Sequence, residues 1–318
     1  MKISNVIFQK LGIVLAGCGL FLGCEMVSAC SGRTGSSASV DRNEFNKYWY
    51  AGKAEITRYA LQQARYGEIR KGDAVLIFVT EDFLTDKQVK HESGDSKASA
   101  SVLKLNFTRK FYTGIYPYSM MTSVFTPVDF NKYATLKVTS TSQEWCGHTF
   151  LQLNNRKNKI HVQLRSYFQS EGDQNFEIDP AFLEDEVWTR IRLAPEALPT
   201  GKVEMIPGTQ FSRFRHTPLQ AETTTAALTT TRDKNLSPDE LHVYTIEYPR
   251  LKRKLAITFE KQFPHRILAW EASHPSGFGP NAKILTTRAV KTHSLLTDYW
   301  SKNKLSDSHL RDELGLIY

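Results

Sequence analysis

Apolar and polar residues alternate most clearly after Ser101. Leu103, Leu105, Phe107 and Phe111 fall on one face, and Lys104, Asn106, Thr108 and Lys110 on the other. A period of two marks a half-buried strand. Leu136 and Val138 alternate with Lys137 and Thr139 in the same way. Ile160, Val162, Leu164 and Phe168 oppose His161, Gln163 and Arg165, and with residues 150–153 they predict a hairpin around NNRKNK. Residues 74–79 (AVLIFV) are continuously apolar, as expected of a strand covered on both faces. The stretch 47–61 is dense in aromatic and β-branched residues and predicts a strand. RKGD at 70–73 reads as a turn, and the polar stretch 86–100 as a mobile loop. Residues 113–127 hold two prolines and no helical period.

Further strands are expected at 203–205 and 211–216, and a hairpin at 241–248 and 255–260. Residues 267–271 and 283–289 flank the Gly/Pro loop HPSGFGPNA, while 222–232, with six threonines, fits strand or loop. Asp179-Pro180 has the chemistry of a helix start, with Asp as cap and Pro at the first position. Acidic residues 184–186 and basic Arg190 and Arg192 follow in the order the helix dipole favours, with an end near Pro195. Short helices are expected near 295–301 and 309–314. The pattern holds roughly ten or more strands with no helical crossovers between them. It predicts a mainly β fold with few helices: an antiparallel, strongly curved sheet or a two-sheet sandwich, with one mid-chain helix and short C-terminal helices.

Residues 1–30 break this pattern. A basic start (Lys2, Lys10) precedes LGIVLAGCGLFLGCEMVSAC, and a Ser/Gly stretch follows. The clean apolar run, 11–23, is short of the about 20 residues a membrane-spanning helix needs. A charged start, a short apolar run and small residues before a cysteine describe an export signal of the lipoprotein kind. Cys18 in LAGC best fits the lipidation pattern, with Cys24 and Cys30 as alternatives. The organisation expected is a signal region at 1–30, a flexible linker at 31–43 and one β-rich domain at 44–318. The expected location is the cell envelope, membrane-anchored, at the outer membrane and facing the periplasm or the surface.

The 318 residues carry a net charge of +8, and loss of Lys2 and Lys10 would leave +6. A mild positive excess suits anionic headgroups and equally an ordinary solvated surface. The string Arg250, Lys252, Arg253 and Lys254 suggests a hairpin tip able to meet headgroups. No basic stripe with interleaved stacking aromatics points to nucleic acid. Beyond residue 30 only Cys146 remains, so no disulfide framework is available. A lone cysteine is expected to be a small buried residue.

Candidate chemistry is sparse. Glu144-Trp145-Cys146-Gly147-His148 is similar to the start of a thioredoxin-type WCGHC string, but Thr149 replaces the second cysteine. Cys146 with His148 remains a thiol candidate, weighed against a plain turn. No metal-ligand spacing, nucleophile elbow or phosphate loop occurs, so neither metal nor cofactor is expected. Aromatics are plentiful. Tyr48, Trp49, Trp145 and Trp270 are candidates for a ligand surface, although core packing is the simpler role for such residues.

Taken together, KYWYAGKAEITRY, QARYGEI, LIFVTEDF, KFYTGIYPYS, QEWCGH, EMIPG, YPRLKR and HPSGFG resemble a family of uncharacterised predicted lipoproteins of Bacteroidota. Some members carry the label "septum formation inhibitor Maf"; the Ser/Arg phosphate-binding motif of the Maf pyrophosphatases is not found in this chain. The resemblance spans most of residues 44–318 and implies a lipoprotein, with no activity or catalytic residue to carry over. The expected function is non-catalytic binding of an apolar ligand, a glycan or an envelope partner. The alternatives are an exported hydrolase or thiol enzyme using Cys146 and His148, and a structural or assembly factor.

Overall fold

The computed structural model describes residues 42–94 and 97–316. The candidate lipidation sites Cys18, Cys24 and Cys30 lie outside the described residues. Helix α1 (Arg42–Trp49) opens the described chain. Strands β1 (Ala54–Arg65), β2 (Glu68–Leu84), β3 (Val89–Lys90), β4 (Ser99–Thr113), β5 (Tyr116–Pro127), β6 (Lys137–Glu144), β7 (Gly147–Arg156), β8 (Lys159–Ser166), β9 (Gln174–Ile178) and β10 (Phe182–Leu183) follow. Helix α2 (Glu184–Leu193), β11 (Gly201–Ile206) and helix α3 (Thr209–Arg215) come next. The chain finishes with β12 (Glu222–Thr231), β13 (Leu241–Tyr248), β14 (Arg253–Glu260), β15 (Ile267–Ser276), β16 (Lys283–Thr297) and a short helix α4 (His309–Glu313).

All sixteen strands join one sheet, in the order β10-β11-β12-β13-β14-β15-β16-β1-β2-β4-β5-β6-β7-β8-β9, with β3 on β2. One sheet, rather than a sandwich, is the architecture. Every pairing is antiparallel except β10 with β11. The turns are chemically ordinary. Lys157 and Asn158, both at positive φ, join β7 to β8 in the conformation a two-residue hairpin requires.

Two observations show how far the sheet curls. Side chains of α2 touch β14, β15, β1, β4 and β5: Arg253, Trp270, Glu55, Phe107 and Thr126 respectively. In a flat sheet β14 and β5 would lie six strand spacings apart, about 29 Å. A helix about 10–12 Å across cannot reach both unless the sheet wraps around it. In addition, the chain passes from one edge strand to the other, from Ile178 to Phe182, in four residues. That step spans at most about 14 Å. The edges therefore come close at one point and leave a gap beyond it.

The concave face is the core. Trp188 of α2 packs edge-on against Phe107 (5.0 Å) and Trp270 (5.3 Å), and Tyr59 lies 4.7 Å from Trp270. Each end of α2 is tied to the sheet by a buried ion pair. Glu184 accepts from Nη1 and Nη2 of Arg253 on β14. Arg192 donates to both oxygens of Glu55 on β1, at 2.6 and 2.7 Å. On the convex face, Ala54, Ile56, Val75 and Val79 are covered by Leu314 from the C-terminal segment.

Several local expectations are corrected. Residues 42–49 form a helix because Phe45 and Trp49, four apart, share its buried face. The turn lies at Tyr66 and Gly67, not at 70–73; Gly72 sits inside β2, where the backbone presses on Lys110 and Phe111 with no room for a Cβ. Residues 211–216 belong to α3 and its cap rather than to a strand. Helix α2 starts at Glu184, after the short strand β10, not at Asp179. Leu295 and Leu296 still belong to β16.

Candidate functional site

The site grows from the polar side of the sheet's interior. Along β5, β6 and β7 the inward positions change from Met120 and Val138 to Thr122, Ser140, Ser142 and Thr149, all buried. Facing them is α3, which is locked in place at both ends. Its first N–H, on Thr209, donates to Asp185 Oδ2 of α2 (2.9 Å). Gly208 just ahead lies so close to α2 that a Cβ would stand 2.5 Å from Glu184 Oε1, so a side chain there would push that carboxylate off Arg253. Near the other end the Phe214 carbonyl accepts from Arg65 Nη1 (2.9 Å).

Between α3 and strands β6 to β9 lies a cleft of about 590 Å³. It lies beside the β9 edge of the sheet, with Gln174, Asn175 and Phe176 of β9 on one wall and Pro218 and Leu219, from the segment after α3, on the other. Its size is that of a small-molecule site. One chain of contacts organises it. Ser166 Oγ donates to Glu171, whose Oε1 lies 2.6 Å from His216 Nδ1. On the other side of the ring, Arg213 Nη1 approaches His216 Nε2 at 3.4 Å, and Arg213 Nε donates to Thr149 Oγ1 (3.0 Å). Because a guanidinium only donates, Nε2 is the acceptor and Nδ1 carries the proton towards Glu171. Phe168 backs these two groups, 4.8 Å from the imidazole ring and 4.5 Å from the Arg213 guanidinium.

His216 holds the left-handed conformation (φ 50°) as the cap of α3. That backbone state is uncommon for a residue with a side chain and is maintained by the surrounding contacts. Ser212 Oγ and Thr217 Oγ1, buried in the cleft wall, have no hydrogen-bond partner among the described residues. Unpartnered buried hydroxyls are rare and are satisfied by water or ligand.

A second, much smaller cavity of about 40 Å³ lies deeper, between Arg109, Asp185, Gln210 and His274. It is large enough for water but not for a ligand. Desolvation there pushes Asp185 up to about 7 and Arg109 down to about 10, and holds His274 down at about 4.

The residues singled out from the sequence scatter. Trp49 and Trp270 are buried in the core and take no part in a ligand surface. Tyr48 is half-buried, and its hydroxyl donates to Glu55 beside Arg192. Trp145 is exposed at the β6–β7 turn. Cys146, expected to be buried, is exposed at that same turn. Glu144 accepts from the Cys146 N–H (2.7 Å), and its carboxylate holds the thiol above the usual range, which disfavours a reactive thiolate. His148 projects from the exposed side of β7, opposite Gln143. The groups that do converge, Thr149, Glu171, Arg213 and His216, carried no motif. The left-handed His216 was their only local irregularity, and it is not visible in the residue pattern. Among the described residues no three His, Cys, Asp or Glu side chains gather as a metal site, and no helix is long and apolar enough to cross a membrane.

Comparison with protein-family models, with curated proteins and with solved structures finds no match, so the site is read from its geometry.

Proposed function

We propose that the chain is a lipid-anchored binding protein of the cell envelope, and that its ligand is a hydroxyl-rich molecule of the glycan class held in the cleft. The observation that carries this reading is the lining of the 590 Å³ cleft. Hydroxyls (Ser140, Thr149, Ser212), a carboxylate (Glu171), amides (Gln174, Asn175) and a guanidinium (Arg213) share the lining with apolar Leu151, Leu164, Phe176, Pro218 and Leu219. Such a mixture exchanges hydrogen bonds with sugar hydroxyls at both donor and acceptor positions. An acyl chain would strand those groups, at a cost of about 1–3 kcal/mol each where they are buried. The sheet's interior, where an apolar ligand would otherwise lie, is occupied by α2 and its aromatic packing.

Binding rather than catalysis fits the polar groups. His216 has the tautomer of a general base, but its free nitrogen is already engaged by Arg213. Titration of the full chain with soluble peptidoglycan fragments and outer-membrane oligosaccharides, followed by calorimetry, tests the reading. Saturable binding to one of these classes, weakened at least about tenfold by Arg213→Ala, supports it. No heat with any glycan, combined with saturable uptake of fatty acid or phospholipid, contradicts it.

A further inference from the structure

In an antiparallel meander successive turns alternate between the two ends of the sheet. The β1–β2, β4–β5, β6–β7, β8–β9, β13–β14 and β15–β16 connections therefore share one end. At this end the tips carry apolar side chains in the open: Ile115 is 81% exposed, Trp145 68% and Phe278 58%, with Tyr112 and Tyr167 also exposed. They are neighbours rather than scattered residues. Phe278 lies 6.1 Å from Tyr66, whose hydroxyl is 2.8 Å from that of Tyr118. Tyr118 is 5.9 Å from Tyr116, and Tyr116 is 6.4 Å from Trp145. Beyond Trp145, the Tyr167 ring lies over Gly147, where a Cβ would stand 2.7 Å from it. One arc of aromatics thus crosses five hairpin tips.

We propose that this arc seats in the headgroup layer of an anionic phospholipid bilayer. Three features select that occupant. First, the apolar groups stand on separate tips at one end of the strands, so they meet a plane and do not form a groove that fits a shaped partner. Second, Trp and Tyr combine an apolar body with a polar edge, the chemistry favoured at a membrane–water interface, and Ile115 and Phe278 supply purely apolar contacts. Third, the charges favour anions. Most carboxylates at this end have partners: Glu68 with Arg70, Glu144 with the Cys146 N–H, Glu171 with His216, Glu222 with Arg250, Glu247 with Lys254 and Asp173 with Arg165, while exposed Glu204 accepts from the Thr223 hydroxyl. Exposed Lys252 and Lys283 face no carboxylate among the described residues, and partly exposed Arg215 donates to the Gly277 carbonyl. Cations beside an apolar rim are drawn to anionic headgroups. This inference stands apart from the glycan reading of the cleft.

The test uses the full chain with vesicles of phosphatidylethanolamine and phosphatidylglycerol containing brominated phosphatidylcholine. W145F supplies the background from the other tryptophans. The emission due to Trp145 should shift to the blue and be quenched by the brominated chains. I115D/F278D, with an unchanged circular dichroism spectrum, should reduce that quenching at least about tenfold, because both apolar anchors are lost. Replacing phosphatidylglycerol by phosphatidylcholine should weaken it at least about fivefold. Unquenched Trp145, equal quenching in I115D/F278D, or retention on an insoluble glycan without quenching would overturn the proposal.

Discussion

The two sides of the sheet's interior were built by the same kind of strand and differ in what fills them. Around α2 the inward residues are large and apolar, and the space is full. Trp188, Trp270, Phe107 and Tyr59 pack on one another, and the charges of α2 are matched by Glu55 and Arg253. Towards β6 to β9 the inward residues shrink to serines and threonines, the short helix α3 covers them only in part, and a cleft remains. Stability therefore belongs to the first region, and the second is where the proposed ligand would sit. The comparison also shows why aromatic abundance misleads as a guide to binding: most of the aromatics went where volume was needed.

The largest effects should come from emptying the full side. Trp270→Ala, or Trp188→Ala, should cost about 3–5 kcal/mol, read as a fall in the urea midpoint. Leu219→Ala in the cleft wall should cost well under half of that, because the site already borders open space. Equal losses at Trp270 and Leu219 would erase the distinction between the two sides.

Next come the ion pairs that hold α2. Arg192→Met strands Glu55 in the core and should cost about 3–5 kcal/mol, while the double variant Glu55→Leu/Arg192→Met should recover most of the loss. The partners and their neighbour Tyr48 form a network, so a double-mutant cycle is the measurement that isolates the pair. On the open side, Glu171→Gln removes a carboxylate from His216 and should cost about 1–2 kcal/mol while impairing ligand binding.

A smaller and more diagnostic effect is the pH dependence at the deep cavity. Desolvation raises Asp185 from 3.8 to about 7, so between these values the folded state holds a proton that the unfolded chain releases. Its contribution is therefore lost as pH rises from about 4 to 7. His274, lowered from 6.5 to about 4, acts in the opposite sense: its contribution is lost as pH falls from about 6.5 to 4. The two slopes oppose each other. Asp185→Asn should leave stability rising between pH 4 and 6.5, and His274→Gln should leave it falling over the same range. Smallest of all, Cys146→Ser should change stability by no more than about 0.5 kcal/mol, since the thiol is exposed at a turn.

These outcomes also mark what the residue pattern carried. Strand alternation was legible wherever one face met the core, and it placed Leu103, Leu105, Phe107 and Phe111 on the buried side correctly. The dipole order of α2 was legible too, but not its partners. Glu184 and Arg192 look like surface charges until Arg253 and Glu55, distant in the chain, are brought to them. Helix α3 was missed because Phe211 and Phe214 in so short a run fit a strand or a helix; Asp185 and Gly208 decide the matter through tertiary contact. The cleft was illegible for a related reason. Thr149, Glu171, Arg213 and His216 share no local spacing, and they meet only because the sheet curls until its edges approach. Cys146 was misplaced because burial statistics for cysteine say nothing of a two-residue hairpin tip.

The central claim is that the polar cleft, not the sheet's interior, holds the ligand. Native mass spectrometry of the full chain purified from its native cells tests it most directly, with Arg213→Ala/Glu171→Gln alongside. The account predicts a non-covalent, hydroxyl-rich adduct on the unaltered chain and its loss from the double variant. An acyl-chain ligand, bound in addition to any N-terminal lipid and kept by the double variant, would contradict it.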